Sequence, residues 1–141
     1  MPFEEACFDR AMMLHVGMNI TDKQTLMAEA ARVLAPGGLF CAYDMMQVRN
    51  GEITFPLPWA SDASVSAVAP PDTYIAAAAK AGFDLLASHD GTVAAKPFID
   101  HVLATKPAPR DGAPPDRFRN LVAHIEAGLL APTELVFRKA G

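Results

Sequence analysis

The hydrophobic and polar positions in the first part of the chain predict a strand, a helix and a second strand. The first apolar run, "RAMMLHVGMNI" at residues 10–20, is short and is interrupted at Gly17, which favours a strand over a helix. The next segment has apolar residues at helical spacing, namely Leu26, Met27, Ala30, Val33 and Leu34. The continuous apolar run at residues 39–45, "LFCAYDM", then predicts a strand that is covered on both faces.

Local signals mark the two ends of the first helix. Thr21 is suited to the N-cap position, and Gln24 follows it at the spacing of a capping box. Pro36, Gly37 and Gly38 predict the end of the helix.

The second part of the chain begins with an irregular segment at residues 47–71, which is long enough to be a lid or a binding loop. The elements predicted after it are a helix from Pro71 to a stop at Gly82, a strand at 83–90, a helix at 93–106 that Pro97 either starts or bends, a linker at 107–115, an amphipathic helix at 116–130 and a strand at 133–139. The order β-α-β-loop-α-β-α-α-β predicts an α/β fold with a mostly parallel sheet.

Composition narrows the class of protein. The 141 residues are 51% hydrophobic and 20% charged, which is typical of one globular domain. The net charge is −4 and the 12 basic residues are scattered, so we expect no nucleic-acid partner and no membrane partner. The acidic N-terminus lacks a signal-peptide apolar region, which favours a cytoplasmic location. Cys7 and Cys41 have no metal-ligand spacing and are interpreted as reduced thiols, and no metal site is expected.

Four segments carry a resemblance to a known family. They are "PFEEACFD", "MMLHVGMNITDK", "EAARVLAPGGLFCAYDMM" and "YIAAAAKAGFDLL". Together they resemble the C-terminal half of a class I S-adenosylmethionine-dependent methyltransferase of the type 11 kind, in which an "lPF-d-sFD" segment precedes the fourth strand and an "e-xRvLkPGG" helix end precedes the fifth. The stretches "LHVGMNI" and "FPLPWASD" are most similar to the branch that methylates small amines such as glycine derivatives.

The resemblance implies a partial Rossmann-like sheet, mostly parallel with an antiparallel last strand, and helices on both faces. It also implies that the N-terminal cofactor-binding strands are missing, roughly half of a domain of ~200 to 250 residues. Residues 1–141 would then form one domain, with a core at 1–90, extra helices and a linker at 91–130, and the final strand at 131–141. S-adenosyl-L-methionine is the implied cofactor, and this chain alone should bind it weakly or not at all.

Candidate site residues follow the two predicted strand ends, because ligands of open α/β sheets lie beyond the carboxyl ends of the strands. His15 is a candidate to orient or deprotonate an amine, and Asp44 is a candidate to pair with a substrate ammonium. Leu14, His15 and Val16 are expected to lie beside the cofactor. The alternatives are a strand-end histidine bound to backbone for His15 and a capping acid in a solvated loop for Asp44.

Three further residues are candidates for substrate binding. Trp59 and Phe55 lie in the Pro-rich loop, where an indole face can hold a methylated ammonium by cation–π attraction. The alternative for Trp59 is a loop anchor. Asn19 is a polar contact or a turn residue. Methionines near the strand ends either form a polarizable, apolar surface beside a sulfonium cofactor or fill gaps in the core. They are Met12, Met13, Met18, Met45 and Met46.

These features predict methyl transfer to a small molecule by an enzyme of which this chain is a fragment or a half, and the resemblance to the small-amine branch implies that the acceptor is an amine. The alternative functions are a non-catalytic oligomerisation or partner-binding module derived from a methyltransferase, and a small-ligand-binding protein that uses Trp59. An apolar sheet edge near residues 12–14 would need a cover. We therefore expect a homodimer or a complex with a separate N-terminal half.

Overall fold

The structure is a computed structural model that describes residues 1–105 and 116–141. The strands and helices in these ranges are, in chain order, β1 (Phe8–Leu14), α1 (Lys23–Val33), β2 (Leu34–Gln47), α2 (Pro71–Lys80), β3 (Phe83–Asp90), α3 (Thr92–Thr105), α4 (Arg117–Glu126) and β4 (Leu130–Lys139). Short 3-10 turns occupy Gly17–Asn19 and Ala63–Val65. The linker predicted at 107–115 lies outside the described residues.

The four strands form one sheet in the order β1-β2-β4-β3. β1 pairs with β2 in parallel, whereas β4 is antiparallel to both of its neighbours, β2 and β3. Three strands therefore run in one direction and the last strand runs against them. This confirms the prediction of a mostly parallel α/β sheet with an antiparallel last strand.

Helices cover both faces of the sheet, as predicted. α1 and α2 pack on one face, where Phe40, Ala42 and Met46 of β2 enter the main core. Met45 of β2 points to the other face and joins a second apolar cluster with Leu121 of α4. Successive side chains of a strand alternate between its faces, so β2 contributes to both clusters.

Two predicted boundaries of α1 are corrected. The N-cap is Asp22 and not Thr21, because the Asp22 carboxylate accepts hydrogen bonds from the Thr25 N–H at 2.9 Å and from the Thr25 hydroxyl at 2.6 Å. The helix ends at Val33, before Pro36, since Leu34 is already extended at φ −83° and ψ 140°. The Pro-Gly-Gly segment lies inside β2, where the pairing with β1 shifts register.

Other boundaries differ by a few residues from the predicted ones. β1 ends at Leu14 and not within residues 15–20, because His15 adopts a left-handed φ of 52° that breaks the extended backbone. Pro97 lies inside α3 and does not start it. β4 begins at Leu130, three residues earlier than predicted.

Two kinds of feature are absent from the described residues, namely a membrane-spanning helix and a metal-ligand cluster. Within 1–105 and 116–141, no helix has both the length and the apolarity needed to cross a bilayer. The same residues contain no group of three or more His, Cys, Asp or Glu side chains that could hold a metal ion.

β1 forms one edge of the sheet and exposes apolar side chains. Met12 is 71% exposed and Leu14 is 52% exposed, and Phe8 also remains accessible. An apolar cavity of about 660 Å³ opens between this edge and α1, lined in part by Val16 and Leu26. An open apolar strand edge favours pairing with another chain. The dimer, or the complex with a separate N-terminal half, stays a prediction.

If a second copy covers this edge, the purified chain should show twice its monomer mass in size-exclusion chromatography with light scattering. Met12→Lys should shift the population to the monomer, because an ammonium at the edge disfavours pairing of apolar strands. Val65→Lys is the matched control, since Val65 is an exposed apolar residue outside the edge and should leave the mass unchanged. A wild-type chain that is a clean monomer at dilute concentration contradicts the prediction of a homodimer.

Candidate functional site

A sharp turn follows β1 and presents His15 at the carboxyl end of the parallel strand pair. The His15 N–H donates to the carbonyl oxygen of Tyr43 on β2 at 2.8 Å, which adds one more bond to the pairing of the two strands. The imidazole packs edge-on against the Tyr43 ring, with the centroids 5.1 Å apart and the planes at 74°. The side chain of His15 is exposed and accessible to a ligand.

Gly17, two residues later, has no room for a side chain. A Cβ atom at this position would lie 2.4 Å from Asp44 Oδ2, 2.7 Å from the Tyr74 hydroxyl and 2.9 Å from Met13 Cε. The backbone of the turn therefore packs directly on the end of β2. This contact sets the position of the residues on either side of Gly17, including His15.

Asp44 is the buried acid against which the turn packs. Its side chain is 0% exposed, and the Tyr74 hydroxyl donates to Oδ2 at 2.8 Å. The Met45 N–H donates to Oδ1 at 3.0 Å, and the backbone of Met18 also hydrogen-bonds the carboxylate. Burial raises the pKa of Asp44, while these hydrogen bonds and the nearby His15 act in the opposite direction. Burial and the adjacent Asp44 carboxylate raise the pKa of Tyr74.

Lys23 is a second buried charge and lies at the start of α1. Its side chain is 4% exposed, and its ammonium donates to three carbonyl oxygens: Gly17 at 2.9 Å, Ala67 at 2.8 Å, and Ile20. The ammonium also lies 5.0 Å from the centroid of the Tyr74 ring. Burial lowers the pKa of Lys23, and the attraction of the Asp44 carboxylate opposes this change.

The loop between β2 and α2 is fixed to α4 by side chains. Arg117 Nη1 donates to the carbonyl oxygen of Leu57 at 2.9 Å, and Asn120 Nδ2 donates to that of Pro56 at 3.0 Å. His124 Nε2 lies 3.0 Å from the Thr54 nitrogen and 3.1 Å from the Thr54 carbonyl oxygen. These bonds to α4 give the loop a defined path past the sheet.

A cavity of about 380 Å³ lies between this loop, the strand ends and the helices α3 and α4. Its lining is mostly aromatic and apolar and includes His15, Met18, Tyr43, Met45, Trp59, Phe98 and Leu121. The indole N–H of Trp59 donates to Ser66 Oγ at 3.1 Å, which fixes the ring. The cavity thus combines a few polar atoms with aromatic faces, as small-molecule sites generally do.

The predicted site residues do not all lie in one cavity. The structure brings His15 and Trp59 together in the lining of this cavity. Val16 lines the separate, larger cavity at the uncovered sheet edge, and Leu14 is exposed beside it on β1. Phe55 lines a third, open cleft and packs on the second apolar cluster. Asn19 is the exposed last residue of the 3-10 turn.

Asp44 does not line the cavity, although it follows Tyr43 in β2. Alternation along the strand turns its carboxylate toward α2, where it is fully buried. The expected contact with a substrate ammonium is therefore corrected: in this structure Asp44 anchors the turn that carries His15. The methionines divide in the same way, since Met18 and Met45 line the cavity, Met13 and Met46 belong to the main core, and Met12 is exposed.

Sequence reasoning missed Lys23, Tyr74 and Gly17. Tyr74 shares the buried face of α2 with Ala77 and Ala78, and a large polar residue among alanines is a signal that was available. A glycine directly after a predicted strand also indicates close backbone packing. Lys23 gave no such signal, because a lysine in the first turn of a helix is ordinarily exposed.

Comparisons with known proteins agree on one fold. The profile of a family described as "Methyltransferase domain" matches residues 1–42. No curated protein matches the chain by sequence. The chain does match solved structures over nearly all of its length, at identities that establish the fold alone.

Three of these structures illustrate the range of activities that their names state and the range of TM-scores. Geranyl diphosphate C-methyltransferase from Streptomyces coelicolor A3(2) is 15% identical with a TM-score of 0.79, and the match covers 99% of this chain and 50% of that one. A putative sarcosine dimethylglycine methyltransferase from Galdieria sulphuraria is 19% identical with a TM-score of 0.73, covering 99% and 56%. The [4+2]-cyclase SpnF is 17% identical with a TM-score of 0.67, covering 99% and 53%. The chain spans about half the length of these proteins.

The buried position of Asp44 predicts a pH dependence that Asp44→Asn should remove. Because the pKa of Asp44 is raised in the folded chain, its protonated form favours folding, and this contribution is lost as the pH rises from 3.8 through the raised pKa. The free energy of unfolding of Asp44→Asn minus that of wild type should therefore increase with pH across this window. Each unit of pKa shift contributes about 1.4 kcal/mol.

Urea unfolding at a series of pH values, followed by circular dichroism, measures this difference. Other titrating groups, such as the half-buried Glu29 with its pKa lowered to about 2 by Arg32, are present in both proteins and cancel. A difference that stays constant or falls as the pH rises contradicts the assignment of Asp44 as a desolvated anchor.

The tight packing of Gly17 predicts that Gly17→Ala destabilises the fold by about 1 to 3 kcal/mol, the usual cost of forcing a methyl group into a packed site. The same substitution in a Tyr74→Phe background should cost less, because one of the three short contacts is then absent. Denaturant unfolding of the four proteins measures both effects. A cost for Gly17→Ala below about 0.5 kcal/mol, the range of neutral surface changes, would rule out this packing.

Proposed function

We propose that the chain is the acceptor-binding part of an S-adenosylmethionine-dependent methyltransferase that acts on a small amine. The observation that carries the proposal is the cavity at the carboxyl ends of β1 and β2, because it places His15 and Trp59 in one aromatic pocket. Ligand sites of open α/β sheets lie beyond these strand ends. The family profile and the shared methyltransferase fold support the reaction class.

The lining of the cavity suits a methylated amine. Trp59 and Tyr43 line the cavity, and an aromatic ring attracts a cation over its face by its quadrupole, an interaction worth ~0.5 to 2 kcal/mol. Met18 and Met45 supply polarizable, apolar surface for methyl groups. Since Asp44 is buried outside the cavity, the aromatic rings and not a carboxylate of β2 would stabilise the positive charge.

His15 would accept the proton that the acceptor amine loses. An amine attacks with its lone pair, so it must reach the site as the neutral form or lose a proton there. The exposed imidazole of His15 is held at the cavity by the Tyr43 backbone bond, and it is a side chain of the described cavity lining that can accept that proton. The remaining requirement of an in-line displacement is alignment in a site that excludes water.

The residues present fit one side of a cofactor site. S-adenosylmethionine would supply an electrophilic methyl group on a sulfonium. Leu14 and Val16 expose apolar side chains at the carboxyl end of β1, where they would form a wall beside it. The sequence contains no Gly-x-Gly turn, which in the resembling family holds the cofactor. We therefore assign most of the cofactor-binding contacts to polypeptide outside this sequence.

The choice of an amine rests on the cavity more than on the fold. One matched structure carries the name of a sarcosine dimethylglycine methyltransferase, and another is a cyclase. One fold hosts many reactions, so the shared architecture leaves the substrate open. The combination of aromatic faces with an imidazole is what favours a small cationic acceptor.

Trp59 makes the proposal directly measurable, because it is the only tryptophan of the chain. Glycine betaine should change the Trp59 fluorescence in a saturable way. Its uncharged-methyl counterpart, 3,3-dimethylbutanoate, has the same shape without the ammonium and should bind more weakly, by about 2- to 30-fold for a cation–π contribution of ~0.5 to 2 kcal/mol. Equal affinities for the two ligands, or no saturation with either, would count against an amine site.

His15→Asn and Met12→Ser serve as the matched pair of variants. Asparagine tolerates the left-handed backbone at position 15, so the fold should survive while the imidazole is lost. Met12 lies outside the cavity and its variant should bind as wild type does. A weaker affinity for dimethylglycine in His15→Asn alone is the expected result, because the imidazole no longer lines the cavity. The same change in both variants would argue against a role for His15.

Calorimetric titration with S-adenosylmethionine tests where the cofactor affinity lies. Because Leu14 and Val16 offer only a partial wall, the isolated chain should show weak binding or none. Binding in the micromolar range would contradict the assignment of the main cofactor grip to other polypeptide.

A further inference from the structure

We propose that Lys23 is a positioning residue that holds the two walls of the acceptor cavity together and so sets the distance between His15 and Trp59. The inference deepens the proposed function, since it assigns the residue that shapes the same cavity. Lys23 itself does not line that cavity and has no role in the chemistry described above.

The first step of the argument is where the ammonium of Lys23 bonds. Its partners are the carbonyl oxygens of Gly17 and Ile20, at either end of the 3-10 turn, and of Ala67, 44 residues away in the chain. An ammonium carries three N–H donors, so each donor has one carbonyl partner. The side chain therefore joins the turn after β1 to the distant loop between β2 and α2.

The second step is what these two segments carry. Gly17 is two residues from His15 and next to Met18, and both of these residues line the cavity. Ala67 follows Ser66, whose hydroxyl accepts the hydrogen bond from the Trp59 indole. One wall therefore reaches Lys23 through the turn, and the opposite wall reaches it through Ser66.

The third step is that Lys23 supplies most of the hydrogen bonds between the two segments, beside the apolar packing of Met18 with Leu57 and Trp59 in the second cluster. The Ala67 N–H donates to the Met18 carbonyl oxygen at 2.8 Å, which is a single backbone bond between the same two segments. Burying an ammonium without an ion-pair partner is costly unless all its donors are satisfied. In Lys23 they are satisfied by carbonyls that belong to the two walls, with the Tyr74 ring 5.0 Å away. Removing the ammonium would take its donors from the Ile20 and Ala67 carbonyls, while the Gly17 carbonyl would keep its bond from the Ile20 N–H, and it would loosen the link between the two walls.

The test compares Lys23→Met with Lys23→Arg and with Lys80→Met, all in the full chain without ligand. Methionine keeps the length of the side chain but has no donors, and arginine keeps donors in a planar fork. Lys80 is an exposed lysine of α2 and is the matched control. The readouts are the Trp59 emission maximum with its quenching by acrylamide, and the NMR shifts of the His15 imidazole. Circular dichroism and thermal unfolding report whether each variant folds.

In Lys23→Met we expect a red-shifted and more readily quenched Trp59 together with displaced His15 resonances. Lys23→Arg should show smaller changes of both signals, and Lys80→Met should match wild type. The proposal is overturned if a folded Lys23→Met has wild-type signals at both residues, or if only one of them changes. If Lys23→Met does not fold, Lys23→Arg decides alone: wild-type signals in that variant overturn the proposal.

Ligand binding separates this inference from the proposed function. The affinity for glycine betaine should fall about tenfold in Lys23→Met, because the aromatic wall no longer faces His15 at the right distance. If wild type does not bind glycine betaine but the ligand-free signals move as described, the proposed function fails and the role of Lys23 stands. If wild type binds and Lys23→Met binds equally well with unchanged signals, the role of Lys23 fails and the proposed function stands.

Discussion

The arrangement of the chain at the carboxyl ends of β1 and β2 depends on hydrogen bonds to buried polar side chains. Asp44, Tyr74 and Lys23 all lie out of contact with water, where an unpaired carboxylate, hydroxyl or ammonium is unfavourable. Tyr74 donates to Asp44, and Lys23 donates to backbone carbonyls of the turn after β1 and of the long loop. Satisfying these groups requires the turn to pack closely on the end of β2, which in turn requires glycine at position 17. The position of His15 is a consequence of this packing.

The two faces of the sheet have different roles: one buries Asp44, which anchors the turn after β1, and the other lines the cavity. Asp44 and Tyr43 are neighbours in β2, but alternation sends the acid toward α2 and the tyrosine toward the cavity under α3 and α4. Because Asp44 is buried and hydrogen-bonded on one face of the sheet, the positions of Tyr43 and His15 on the cavity side are fixed. The cavity therefore combines a rigid strand-end side, carrying His15, with a loop side, carrying Trp59, which α4 holds by the side chains of Arg117 and Asn120.

Much of the fold follows from periodicity in the sequence, and part of the site does as well. The helical spacing of Leu26 to Val33 and the apolar run after it predicted α1 and β2 because these patterns persist over many residues. His15 and Trp59 were found because one follows a strand and the other is the single tryptophan in a long loop. The face of Asp44 was misjudged, since its position at a strand end outweighed the period of two. The burial of Lys23 depends on a contact with Ala67, 44 residues away, which local patterns do not contain. The cap of α1 at Asp22 is a local contact with Thr25, and it was misplaced because Thr21 and Gln24 have the spacing of a capping box.

The central claim is that the pocket between His15 and Trp59 receives a methylated amine. Nuclear Overhauser effects between the chain and glycine betaine labelled with ¹³C in its methyl groups test this claim most directly, because they report which protons lie within a few ångströms of the ligand. The account predicts contacts from the ligand methyl groups to the Trp59 indole and to the His15 imidazole. Contacts to Met12 and Val16 at the uncovered sheet edge, with none to Trp59, would contradict it.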